Sequence, residues 1–133
     1  MSPLMPGPFP RRRIVVADED PGVVAQVVET LRADGYAVFH ASDALSASQL
    51  ACSLDPCDLV ISNTKVQGVE GVELIQQLRR HRHALPILYL ANTGRSNPGL
   101  EAQLPSDVPI LRQPFTPDQL RAAVKALLAG TVS

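Results

Sequence analysis

The chain has 133 residues, 45% hydrophobic and 4% aromatic with no Trp, and a formal net charge of −1. This suits one ordinary domain with a Val, Leu, Ile and Ala core, and it excludes general disorder and a broad electrostatic pull toward nucleic acid or an anionic membrane. Cys52 and Cys57 are too few for a disulfide framework and lack metal-ligand spacing, so both are expected as small buried hydrophobes.

The opening MSPLMPGPFPRRR is no signal peptide, since its charges follow its apolar part and its prolines break any h-region helix. Residues 1–11 read as a flexible, Pro-rich lead-in, and residues 12–130 as one domain. RIVVAD (13–18) is a β-branched apolar run and predicts a buried strand. Asp20-Pro21 then supplies an N-cap and a first-turn proline. Val23, Val24, Val27, Val28 and Leu31 follow at helical spacing until Gly35 ends the helix.

YAVFH (36–40) predicts a second strand, and Ser42 is placed to cap a small-residue helix that runs to about Leu54. DLVIS (58–62) is a third buried strand, and VELIQQLRRH (72–81) an amphipathic helix. Pro86 opens a fourth strand, ILYLA (87–91). Gly94, Pro98, Gly99 and Pro105 leave room only for a short helix from about Pro98 to Leu104. VPILR (108–112) is the fifth strand, and Thr116-Pro117 caps a final helix with Leu120, Val124, Leu127 and Leu128 inward.

Continuous apolar strands alternating with amphipathic helices predict an α/β fold: a doubly wound five-stranded parallel sheet covered on both faces, with the flavodoxin-like order 2-1-3-4-5 and a weak fourth helix. Functional residues in such sheets sit beyond the strands' carboxyl ends. Here those residues are Asp18, Glu19, Asp20, Asn63, Ala91, Asn92, Arg112 and Gln113.

Five segments in order carry a family pattern: IVVADEDP, GYAVFHASDA, DLVISNTKVQGVEGVELIQQLR, LPILYLA and RQPF. From Arg13 to Ala129 the chain resembles the receiver domain of bacterial two-component response regulators. The resemblance implies an acidic pair that holds Mg²⁺ with an acceptor Asp, a Lys that steadies the phosphoryl group, and a Ser or Thr that acts with an aromatic as relay. Asp18 and Glu19 fall on the acidic pair. Asn63 falls on the acceptor, Ala91 on the Ser/Thr, Ile110 on the aromatic and Gln113 on the Lys.

Each departure has a chemical consequence. A carboxamide oxygen is a poor nucleophile beside a carboxylate, and Gln113 has no charge to neutralise a phosphoryl group. Ala91 offers no hydroxyl and Ile110 no ring. These substitutions predict a degenerate receiver, a pseudo-receiver, with no catalytic residue and weak or absent Mg²⁺ at Asp18 and Glu19. Lys65, two residues past Asn63, is expected to bend over the pocket and pair with Asp18 or Glu19 as an internal cation.

The expected function is phosphorylation-independent signalling in the cytoplasm by contact with a protein: a kinase, an output domain, a regulatory protein or a second copy in a homodimer. The face expected to carry it comprises the fourth helix, the fifth strand and the last helix, with Leu100, Gln103, Arg112, Gln119 and Arg121. The alternative is a module that senses a small ligand or metal ion in the emptied pocket. An enzyme ranks lowest, with no GxGxxG, P-loop or nucleophile elbow. RRHRH (79–83) is expected as a solvated helix end rather than a nucleic-acid patch, and no contact with nucleic acid or membrane is expected.

Overall fold

The computed structural model describes residues 11–54, 57–66, 69–92 and 98–129, and for Lys65 and Val69 the backbone alone. The lead-in through residue 10 lies outside the described residues. The elements run β1 Arg13–Ala17, α1 Pro21–Ala33, β2 Ala37–Ala41, α2 Ala44–Ser53, β3 Leu59–Asn63, β4 Lys65–Val66, β5 Val69–Glu70, α3 Gly71–His81, β6 Ile87–Ala91, α4 Pro98–Glu101, β7 Ile110–Arg112 and α5 Pro117–Ala129.

Five strands form one parallel sheet in the order β2-β1-β3-β6-β7, the predicted 2-1-3-4-5 order once the small β4–β5 hairpin is set aside. Every residue of β3 and of β6 is buried, as continuous apolar runs require in a sheet covered on both faces. Alternate strand residues feed two cores. Val15, Val60, Ile87 and Tyr89 pack with Ala47, Ala51, Leu74, Ile75 and Leu78 of α2 and α3. Ile14, Val16, Ile61 and Leu88 pack with Val27 and Leu31 of α1 and with Leu120 and Val124 of α5.

Local chemistry sets the element ends. Asp20 caps α1 by accepting from the Gly22 amide at 2.9 Å. Gly35, at φ 92°, makes the left-handed turn that ends it. α2 departs from the prediction: Asp43, not Ser42, is its cap and accepts from the Ser46 amide at 2.7 Å. An ionised carboxylate is the stronger acceptor, and the same hydrogen bond holds the Asp43 carboxyl below its ordinary range. α5 opens on a reciprocal capping box between Thr116 and Gln119.

Other expectations need revision. Cys57 is buried, but Cys52 is exposed on the outer side of α2. α4 covers four residues, and turn bonds from Gln103 and Leu104 continue the coil to Leu104. β7 is shorter than 108–112, because Val108 and Pro109 precede its paired residues. In the RRHRH run, Arg79 donates to the Leu85 carbonyl at 2.8 Å and grips Asp107 at 3.0 and 2.8 Å. Arg82 donates to the carbonyls of Ala51 and Cys57. Those two arginines brace loops while Arg80, His81 and His83 face solvent. Among the described residues, no helix is long and apolar enough to cross a membrane.

Candidate functional site

The strand ends converge beside β3. Asn63, 4% exposed, ends that strand, and Asp18, 0% exposed, follows β1. The Asn63 amide nitrogen lies 2.9 Å from each oxygen of the Asp18 carboxylate. Its oxygen accepts from the Thr64 amide at 2.6 Å and from the Gln113 Nε2 at 3.2 Å. Acceptors therefore surround the nitrogen and donors the oxygen, so only one orientation of the side-chain amide satisfies both.

Asp18 also accepts from the Asp20 amide at 2.8 Å. Burial pushes its carboxyl above the ordinary range, against the pull of the bonds from Asn63 and the Asp20 amide. The His40 ring nitrogen lies 3.0 Å from the Asp18 carbonyl oxygen and ties β2 to the site. On the far side, the Gln113 main-chain N–H donates to the Ala91 carbonyl at 2.9 Å, and a cis peptide to Pro114 follows.

Gly71 allows the close approach of α3: a Cβ there would overlap the Asn63 carbonyl oxygen. The Gly71 amide donates to the Thr64 carbonyl at 2.8 Å. Thr64, 4% exposed, was not anticipated as a site residue. Its hydroxyl donates to the Leu90 carbonyl at 3.2 Å and accepts from the Asn92 amide at 2.9 Å. A single polar residue after an apolar strand carries no periodic signal, and its place beside Asn63 was the cue that could have found it.

The predicted residues divide. Asp18, Asn63 and Gln113 meet. Ala91 is buried in β6, and Ile110, 37% exposed, lies on β7 opposite Tyr89 in register. Glu19 is exposed and lines a cleft of about 570 Å³ along α1 with Val24, Val28, Arg32 and His40. The chain turns outward after Asp18 to reach the Asp20 cap. The Lys65 side chain lies outside the described residues. Among them, the Asn63 side chain and the Asp20 amide hydrogen-bond the Asp18 carboxylate.

The predicted partner residues are also separated. Leu100 packs against the α2–α3 core, and Gln103 is exposed. Arg112 pairs with Glu101 at 2.9 Å, and the Gln119 side chain closes the Thr116 cap. Arg121 departs from that face. It pairs with Asp34 at 3.1 Å, because a helix turns residues 119 and 121 about 200° apart and sends the latter toward α1.

A family profile described as the response regulator receiver domain matches residues 14–125. The chain belongs to that family. The transcriptional regulatory protein PhoP for alkaline phosphatase synthesis in Bacillus subtilis is 31% identical over 118 residues, 88% of this chain and 48% of that protein. The DNA-binding dual master transcriptional regulator RpaA of Synechocystis is 31% identical over 121 residues, 90% of this chain and 50% of that protein. The receiver chain thus spans about half the length of these relatives. The crystal structure of a response regulator receiver protein from Sinorhizobium medicae superposes with a TM-score of 0.79 at 25% identity, covering 90% of this chain and 95% of that one.

Receiver domains are in general signalling modules rather than enzymes, and in general they bind Mg²⁺ at the phosphorylation site. In this receiver the buried Asp18 carboxylate accepts from Asn63 at both oxygens and from the Asp20 amide, and no group of three or more His, Cys, Asp or Glu placed to hold a metal occurs among the described residues. The expectation of no nucleic-acid contact finds no support in the relatives, one of which is named as DNA-binding.

Proposed function

We propose that residues 12–130 form a cytoplasmic, degenerate receiver that signals by contact with a protein partner and not through a phosphoryl group on Asn63. The observation that carries this reading is the Asn63 amide, hydrogen-bonded on both ends between Asp18 and Gln113. A neutral amide in that place needs no divalent cation to separate it from Asp18, whereas a carboxylate would. Its oxygen is no match for a carboxylate as a nucleophile, and Gln113, Ala91 and Ile110 bring neither cation, hydroxyl nor ring.

The surface we assign to the partner, a kinase, an output domain or a regulatory protein, is the α4–β7–α5 face. Leu100, Gln103, Arg112 and Gln119 lie on these elements or the turn after α4, and Ile110 adds an exposed apolar side chain. A ligand in the pocket has less support. Its central polar groups bond one another, and no buried side-chain nitrogen or oxygen among the described residues lacks a partner.

The test is incubation of wild type and Asn63→Asp with acetyl phosphate and Mg²⁺, read by intact mass. The expected result is no phosphoryl adduct on the wild type. An adduct mapped to Asn63 or its neighbours would end this reading. An adduct on Asn63→Asp alone would show that the remaining pocket still supports the transfer.

A further inference from the structure

β2 ends the sheet on one side, and among the described residues no strand pairs with its outer edge. The Ala37 amide and the Ala41 carbonyl bond toward β1. In a parallel ladder the N–H and C=O of one residue point the same way and alternate along the strand, so Val38 and His40 turn theirs outward. One of these four groups is covered: Arg32 donates to the Val38 carbonyl at 2.9 Å. The Val38 N–H and both main-chain groups of His40 have no hydrogen bond among the described residues. An edge in that state is a template for another strand.

The cleft beside this edge is apolar in its middle, at Val24 and Val28, and charged at its ends. Glu19 stands at the carboxyl end of the sheet, just before α1, and Arg32 at the amino end, in the last turn of α1. Both are exposed, and neither has an opposite charge for a partner among the described residues. A twofold axis normal to the sheet at Phe39 would set Val38 opposite His40 of a second copy, and each such pair exchanges two N–H···O bonds. The same rotation reverses α1. It brings Arg32 of one copy to the Glu19 end of the other's cleft and sets Val24 and Val28 against their counterparts. A cleft with an acid at one end and a base at the other is complementary to itself reversed. That property selects a second copy of this chain over a foreign strand.

We propose that the β2 edge is a homodimer surface, on which two copies pair β2 with β2 antiparallel and join their sheets into one. Arg32 gives up the Val38 carbonyl to the His40 N–H of the second copy and takes Glu19 of that copy instead. In the monomer its bond to Val38 keeps the edge from pairing indiscriminately. β2 and β7 lie at opposite edges of the sheet, so this dimer leaves the α4–β7–α5 face open to a protein partner.

Sedimentation velocity on the full chain, from micromolar to millimolar, is expected to show monomer passing to dimer. Amide exchange is followed by NMR at both ends of that range. The Val38 and His40 amides are expected to slow about tenfold or more on dimerisation, while Phe39, already in the β1 ladder, changes little. Glu19→Arg and Arg32→Glu are each expected to weaken the dimer about tenfold, and the two together to restore it.

A chain that stays monomeric throughout, with fast Val38 and His40 amides, overturns the proposal. So does a dimer in which those amides exchange as in the monomer, since another face would then hold it. Slow amides in a monomer would mean that another segment of the chain covers the edge, and a double reversal no tighter than the single ones would remove the Glu19–Arg32 contact; either overturns it too. Should a reversed variant not fold, the exchange comparison on the wild type decides alone. Failure here leaves the Asn63 reading standing, and a phosphoryl adduct on the wild type would leave the β2 dimer standing.

Discussion

At the scale of one residue, the amide of Asn63 solves an electrostatic problem that a carboxylate would create. Its nitrogen sits 2.9 Å from both oxygens of a carboxylate with no solvent exposure. Asn63→Asp would set two anions face to face and lose the donor. The expected cost without metal is about 2 kcal/mol at neutral pH. Urea unfolding in EDTA and then in millimolar Mg²⁺ checks it, with stability regained on adding the ion; equal stability in both would contradict the account. A pH signature belongs to the same residue. Burial raises the Asp18 carboxyl above 3.8, so within that window the folded chain holds a proton that the unfolded chain has lost. Stability from this group is therefore full below 3.8, falls as pH rises through the raised folded value, and is flat above it. Asp18→Asn should gain on wild type as pH rises across that window. Asp107 acts in the opposite sense: Arg79 holds its carboxyl down, and its contribution is present above 3.8 and lost as pH falls through the lowered folded value.

At the scale of elements, the site depends on how closely α3 meets β3. Gly71→Ala would drive a Cβ into the Asn63 carbonyl, and main chain cannot step aside as a flexible side chain can. A loss of about 1–3 kcal/mol is expected, with the Asn63 side-chain amide resonances displaced. Loss of stability with those resonances unmoved would place the strain elsewhere. The strong periods of the chain, β3 and β6 fully buried and α1 and α3 apolar on one face, were legible because each repeats over several residues. The caps at Asp20 and Thr116 were legible because proline follows each. Asp43 was harder to read, since Ser42 beside it is also a capping type. The β4–β5 ladder, two residue pairs long, is too short to show a period. Tertiary geometry decided the rest. Glu19 faces solvent beside the Asp20 cap, and Arg121 found Asp34, 87 residues away in sequence.

At the scale of the whole molecule, the sheet makes two cores into one cooperative unit. Neighbouring residues of one strand face opposite layers: Val15 packs with α2 and α3, while Ile14 and Val16 pack with α1 and α5. Neither layer can leave without exposing strands that the other needs, so a single transition is expected. The chain carries its own reporters. It has two tyrosines and no Trp. Tyr36 lies against the α1–α5 core and Tyr89 within the α2–α3 core. Urea unfolding followed by fluorescence of Tyr36→Phe and of Tyr89→Phe isolates each layer in turn. Each fluorescence midpoint should coincide with the far-UV circular dichroism midpoint of the same variant. A Tyr36 signal lost well before the dichroism would mean that α1 and α5 separate first. The sheet would then not bind its layers into one unit, and the α5 part of the proposed partner face would be able to detach while the Asn63 site stayed folded.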